Sequence, residues 1–186
     1  HILPRFINCA CASKPIMKQR EKVVPLATGT VLEIGIGTGL NLPYYDANRV
    51  DRLIGLDPSQ ASWKLARDRA AHIAFEVEFI GLPGEQIPLA DASVDTVLVT
   101  FALCTIPDPV TALQGMARVL RPGGRLLFCE HGEAPDVAVR QWQNRINPLW
   151  RRIAGGCNLN RAIPGLLQRG GFSITDMQTS YLPSTP

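Results

Sequence analysis

Two stretches of this sequence carry side chains whose types and spacing can do chemistry together. The first is Glu33-Ile34-Gly35-Ile36-Gly37-Thr38-Gly39, directly after an apolar run at 30–34. Glycines there let the backbone turn tightly and approach a ligand closely. The second is Asp57, which ends the run 52–57. A carboxylate at the end of a second strand is placed to accept hydrogen bonds from both hydroxyls of a ribose. Together the two describe a nucleoside site. A dinucleotide is the obvious competitor, but its G-x-G-x-x-G fingerprint started at Gly35 needs a small residue at position 40, where Leu40 stands. Glu33 also fits poorly beside an anionic pyrophosphate. It fits well beside a cationic cofactor, whose amino group it can bind. A helix beginning near Leu40 is expected to aim free N–H groups at the same place.

A second set of reactive groups lies further along. His131 follows the run 125–130, and its imidazole suits proton transfer near neutrality. Glu130 beside it can orient the ring or sit under a helix end. Cys104 follows the run 94–100, where it either touches an acceptor or packs as a small buried residue. Cys157 lies in Gly155-Gly156-Cys157-Asn158, and Asn158 or Asn160 is suited to cap the next helix. Cys9-Ala10-Cys11 supplies two ligands where structural zinc wants four, so no metal site is expected. Five irregularly spaced cysteines are not a disulfide framework, and a reducing compartment fits them better.

These groups need a scaffold, and the hydrophobic pattern describes one. Short apolar runs at 30–34, 52–57, 75–80, 94–100 and 125–130 read as strands, and 172–177 as a sixth. Helical patterns fill 59–71, 110–120, 136–153 and 159–169, and one or two short helices broken at Pro15 are expected over 1–20. Strand and helix alternate, which predicts an open α/β sheet. Trp142, Trp150 and Phe172 either wall an apolar pocket or belong to the core.

With 186 residues the chain can bury a real core as one domain. No stretch approaches 18 consecutive apolar residues, so no transmembrane helix is expected. The net charge of +3 and the lack of an interleaved aromatic–basic motif argue against nucleic acid. Arg140, Arg145, Arg151, Arg152, Arg161 and Arg169 crowd the last third, as solvated helix faces or as a basic face for an anionic substrate or membrane.

Residues 29–131 resemble the class I methyltransferases, especially the small-molecule group that includes ubiquinone and lipid methyltransferases. E-I-G-I-G-T-G at 33–39, G-E-Q-I-P-L-A-D-A-S-V-D at 84–95 and R-V-L-R-P-G-G-R-L at 118–126 carry the resemblance. L-C-T-I at 103–106, E-H at 130–131, P-L-W at 148–150 and G-C-N-L at 156–159 extend it to the methyltransferase-like 7 thiol methyltransferases and their bacterial relatives. The resemblance implies a Rossmann-like three-layer α/β/α sandwich with a mostly parallel sheet, its final antiparallel strand missing beyond residue 186. It implies one domain over 1–186, with an N-terminal helical cap at 1–28 and a helical lid at 132–169 inserted before strand six.

It further implies S-adenosylmethionine as methyl donor, S-adenosylhomocysteine as product and a small-molecule acceptor, a thiol in this subgroup. Lipid, quinone, amine or arsenite acceptors are the alternatives; trivalent arsenic would need Cys9 or Cys11, Cys104 and Cys157 to converge. A non-enzymatic cofactor-binding subunit is a third. By position, Glu33, Gly35, Gly37, Gly39 and Asn41 belong to the methionine end, and Asp57 with Pro58 and Ser59 to the ribose. Gly84 and Glu85 lie along the adenine edge, where Pro83 replaces the aspartate of many relatives. Thr100 and Leu103 face the sulfonium. His131 is the candidate base, with Cys104 beside the acceptor. The implied setting is the cytoplasm or a membrane periphery; the animal members use an N-terminal membrane segment that this sequence lacks.

Overall fold

The computed structural model describes residues 12–182. The expected Cys9-x-Cys11 pair and the first part of the 1–20 helical region lie outside them. Five strands form one parallel sheet: β1 (Gly29–Ile34), β2 (Val50–Leu56), β3 (Glu76–Ile80), β4 (Val94–Thr100) and β5 (Leu120–Cys129). Their order is β3-β2-β1-β4-β5. The chain moves outward from β1 to β3, then crosses back to place β4 on the other side of β1. The gap at the carboxyl ends of β1 and β4 is therefore a topological switch point, where open α/β sheets bind ligands.

Among the described residues five α-helices flank the sheet: α1 (Lys14–Val23), α2 (Gln60–Ala70), α3 (Pro109–Val119), α4 (Val137–Ile153) and α5 (Ile163–Arg169). Period-two alternation in the strands builds a core on each face. Leu32, Ile34, Ile54, Leu56, Val97 and Val99 point one way, onto Leu113 and Met116 of α3 and Leu167 of α5. Val31, Leu53 and Leu98 point the other way, onto Val24, Ile36 and Tyr45. Two helices start on side-chain caps at strand–helix junctions. The Ser59 hydroxyl accepts from Ser62 N and opens α2, and the Asp108 carboxylate accepts from Thr111 N ahead of Pro109 in α3.

Several sequence expectations need correction. Pro15 sits in the first turn of α1, where its missing N–H is no loss, so it starts a helix rather than breaking one. No α-helix begins near Leu40. A short 3-10 turn, Leu42–Tyr44 with Pro43 inside it, takes its place. Residues 159–162 stay outside α5, whose N-cap Ala162 makes no side-chain cap, so neither Asn158 nor Asn160 caps it. Residues 172–177 form no strand: Phe172 and Ile174 pack against the core, but the segment joins no hydrogen-bonded ladder. Alternation reported one buried face there, and a coil supplies that as well as a strand does. Finally, β5 begins at Leu120 rather than 125, because Val94 pairs Leu120 while Thr96 pairs Arg125, leaving the Arg-Pro-Gly-Gly turn as a bulge inside the pairing.

Candidate active site

The glycine loop leaves β1 at the switch point. Gly35 has φ +74°, and a Cβ there would lie 2.6 Å from the Cβ of Ala102, in the loop after β4. Only glycine lets the two loops meet this closely. Gly37 N donates to Asp57 Oδ2 at 3.0 Å, and Ser59 N donates to Asp57 Oδ1 at 2.7 Å. The aspartate at the end of β2 is thereby locked in place by two backbone amides. Burial raises its pKa, and those two amides act in the opposite direction. Each oxygen keeps a further lone pair, so the carboxylate can still accept from two vicinal hydroxyls. Gly39 serves packing instead: a Cβ there would strike Leu42 at 2.6 Å and Ala66 of α2 at 3.1 Å. Ser59 works as the cap of α2.

Beneath this loop lies a closed polar network. Glu33, at 1% exposure, accepts from Asn41 Nδ2 at 2.9 Å and from the Tyr45 hydroxyl at 2.7 Å. Asn41 Nδ2 also donates to Thr100 Oγ1 at 2.9 Å. Arg20 reaches in from α1 and donates to both Asn41 Oδ1 and Thr100 Oγ1 at 2.7 Å. Its guanidinium lies 4.9 Å from the centre of the Phe101 ring. Phe101 itself holds φ +53°, a costly backbone for a bulky residue, at the end of β4. Burial pushes the Glu33 carboxyl up, opposed by the Tyr45 hydrogen bond, the Arg20 charge and Asn41. Sequence reasoning did not find Arg20 or Tyr45. The signal for Arg20 was available: it falls on the same helical stripe as Ile16, Met17, Val23 and Val24, a charge on an apolar face.

The expected adenine edge is less open. Gly84 is buried, and a Cβ there would lie 3.0 Å from Ile106 and 3.4 Å from Ile34. Glu85 Oε1 accepts from Asp108 N at 3.0 Å, tying the loop after β3 to the start of α3. Leu103 places its side chain in the core at 0% exposure, so only its backbone borders the site.

A third group assembles from distant segments. Cys157 Sγ lies 3.3 Å from His131 Nε2. The reactive atoms of Cys104, His131 and Cys157 all lie within 4.8 Å of one another. The polypeptide around them is tightly fixed. Glu130 Oε1 accepts from Ala102 N at 2.7 Å and Leu103 N at 3.0 Å. Asn158 donates to Cys104 O through its backbone at 2.9 Å and through Nδ2 at 2.8 Å. Arg161 donates to Leu103 O, and to Ile106 O at 2.8 Å. The segment 157–161 thus clamps the loop 101–106, and that loop abuts Gly35. Glu130 holds a loop; it neither orients the imidazole nor sits under a helix end.

Burial raises the Glu130 carboxyl to about 7 against its hydrogen bonds from Leu103 and Ala102. The hydrogen bond with Cys104 and the neighbouring imidazole hold the Cys157 thiol below its ordinary value, against its burial. Cys104 is pushed up by that same hydrogen bond and by burial. Burial would lower His131, but the contact with Cys157 carries it above its ordinary value.

The expected ribose role of Asp57 has a direct consequence. Asp57→Asn must point an amide NH2 at Gly37 N or Ser59 N, donor against donor. Loss of one charge-assisted hydrogen bond is worth about 1.5 kcal/mol or more, so nucleoside affinity is expected to fall about tenfold. Titration calorimetry with S-adenosylhomocysteine reads this directly, with the exposed neighbour Asp51→Asn as control; equal affinities would move the ribose elsewhere.

Residues 32–128 match the family model described as "Methyltransferase domain". The chain is 38% identical over 164 residues to human thiol S-methyltransferase TMT1B, covering 84% of this chain and 66% of that one. It is 35% identical over 161 residues to human thiol S-methyltransferase TMT1A, covering 83% and 64%. It therefore spans slightly under two thirds of these relatives. The fold superposes on that of a SAM-dependent methyltransferase from Thermotoga maritima with a TM-score of 0.66 and 23% identity, over 94% of this chain and 81% of that one.

Proposed function

Because the chain belongs to the methyltransferase domain family, we propose that it transfers a methyl group from S-adenosylmethionine to a small-molecule thiol. The convergence of Cys104, His131 and Cys157 on the loop that abuts Gly35 carries this reading. The donor supplies an already activated methyl on a cationic sulfur. The protein has to hold, align and desolvate.

The residues present suit that donor. Asp57 is aimed by two amides and retains lone pairs for the ribose. The Glu33–Asn41–Thr100–Arg20 network gives the methionine end a fixed polar floor, with charges of both signs for an amino and a carboxylate group. Gly84 and Glu85 border the adenine edge. The short Leu42–Tyr44 turn offers no helix N-terminus for a pyrophosphate, in keeping with a mononucleoside. In this reading His131 is the candidate base for the acceptor, Cys104 borders the acceptor, and 132–169 forms the lid over it.

A labelled-methyl transfer assay over thiols, amines, quinones, phospholipids and arsenite tests the reading. Turnover of thiols is the expected result. Turnover of another class alone would replace the acceptor, and cofactor binding without transfer to any of them would make the chain a partner subunit.

The placement of α4 bears on where this happens. Its polar side faces the protein: Gln143 bonds Gly132 O and Ala134 N, and Asn147 accepts from Leu159 N. Its apolar side faces outward, with Trp142 50%, Leu149 64% and Ile153 59% exposed. Four arginines and no acidic residue share the helix. Among the described residues no helix is long and apolar enough to cross a membrane. An outward apolar stripe flanked by arginines suits the surface of an anionic bilayer, where Trp and Leu enter the headgroup region. Replacing Trp142, Leu149 and Ile153 by Ser is expected to weaken binding to phosphatidylserine vesicles at least about tenfold, since each buried side chain contributes about 1.5 kcal/mol or more. Vesicle flotation measures it, and undiminished flotation would remove α4 from the contact.

A further inference from the structure

We propose that Cys104, His131 and Cys157 form a three-donor site for a soft divalent cation of the zinc class, leaving one coordination position for a sulfur ligand from outside. The donor set is two thiol sulfurs and one imidazole nitrogen, the Cys2His set of zinc sites that keep an open fourth position. Zinc–sulfur and zinc–nitrogen bonds of about 2.3 and 2.0 Å put neighbouring donors about 3.5 Å apart in a tetrahedron. Here the Cys157–His131 edge is 3.3 Å, and all three donor atoms fit within 4.8 Å. The set is close to binding geometry without any movement of the backbone.

The supports are built in. The donors come from the loop after β4, the end of β5 and the segment after α4, so spacing in the sequence could not reveal them. Asn158 fixes the Cys157 segment to Cys104 O by two hydrogen bonds, at 2.8 and 2.9 Å. Glu130 fixes the preceding turn through the amides of Ala102 and Leu103. The Thr105 hydroxyl lies 3.3 Å from Cys104 Sγ, a contact of the kind that orients a metal ligand. Cys129, one of the remaining thiols, is not part of the set.

The open position deepens the proposed thiol transfer and rests on it. A thiol that binds there gives its proton to solvent. Its sulfur lone pair then forms the new S–CH3 bond. The bonding pair of the old C–S+ bond stays with the departing S-adenosylhomocysteine, and nothing is oxidised or reduced. The cation replaces His131 as the means of ionising the acceptor, and the imidazole becomes the group that holds it.

The test uses the full chain, stripped with a chelator and titrated with Zn2+ against a chromophoric competitor. A parallel titration with Cd2+ follows the ultraviolet sulfur-to-metal charge-transfer band. One ion per chain is expected. Cys104→Ser, His131→Ala and Cys157→Ser should each weaken it at least about tenfold, as even an outer-shell change commonly does. Cys129→Ser and a Cys9→Ser/Cys11→Ser pair should leave it unchanged. S-adenosylhomocysteine affinity and circular dichroism confirm that each variant is folded. Full binding in a folded Cys104→Ser/Cys157→Ser variant, or binding that follows Cys9 and Cys11, overturns the site. A small thiol should shift the Cd2+ band; no shift overturns the open position. Intact metal binding in a protein that methylates no thiol would sink the thiol reading and leave the site standing.

Discussion

Arg20→Met is expected to cost about 2–5 kcal/mol of folding stability, because it leaves two buried oxygens without their charged donor, at about 1–3 kcal/mol each. The side chain is 5% exposed and gives hydrogen bonds to Asn41 and Thr100. After the Tyr45 hydrogen bond, its positive charge also opposes the burial of the Glu33 carboxylate, which it reaches through Asn41. Met keeps much of the apolar stem and removes the charge. Two oxygens then lose a donor, and Glu33 remains in the interior with only neutral partners. Urea unfolding measures the loss. A second variant separates charge from packing: Glu33→Gln in the Arg20→Met background removes the stranded carboxylate and should return part of the loss, by about 0.5–3 kcal/mol of coupling. Additive single and double variants, or a loss under 1 kcal/mol, would mean that Arg20 stabilises through its stem alone.

This network also shows what a sequence can and cannot display. Glu33 and Asp57 stand out in the sequence because one stands near the close of the first apolar run and the other follows the second, with a glycine loop just after Glu33. The layered α/β fold was legible because parallel strands buried on two faces leave apolar runs, and turns and caps such as Ser59 and Asp108 mark their ends. Arg20 was not, although its place on an apolar stripe was visible, because nothing local says which distant group a buried charge will meet. Tyr45 was hidden for the same reason.

The misread elements share a cause of their own. The 172–177 segment alternates as a strand does, and it buries Phe172 and Ile174, yet a strand exists only through a neighbour that completes its ladder. The expected helix at Leu40 was read from the fold's habit of following a glycine loop with one; Pro43 and the Asp46–Asn48 turn leave too few residues for it. The sequence marks Cys104, His131 and Cys157 as reactive groups, and a convergence of Cys104 with Cys157 only as a requirement of the arsenite alternative. Their meeting depends on Asn158 and Arg161 gripping the carbonyls of 103–106, which are long-range contacts with no local trace.

His131→Ala is expected to lower methyl transfer to a thiol by about a hundredfold or more, the lower bound for a positioned proton acceptor. The same variant should hold S-adenosylhomocysteine as tightly as the parent chain. Among the described residues no hydrogen bond connects the imidazole to Glu33, Asn41, Thr100 or Asp57; it hydrogen-bonds Cys157 and lies close to Cys104. In the proposed site the donor half is carried by the ends of β1, β2 and β4, the acceptor half by the ends of β4 and β5 and the 157–161 clamp. A ring that ionises the acceptor, directly or by holding a cation, belongs to the second half alone. Transfer rates at saturating donor, set beside calorimetric cofactor affinity, divide the two. Loss of both together would make His131 a strut for the whole site. Retention of both would move thiol ionisation away from the cluster, and with it the observation on which the acceptor's identity stands.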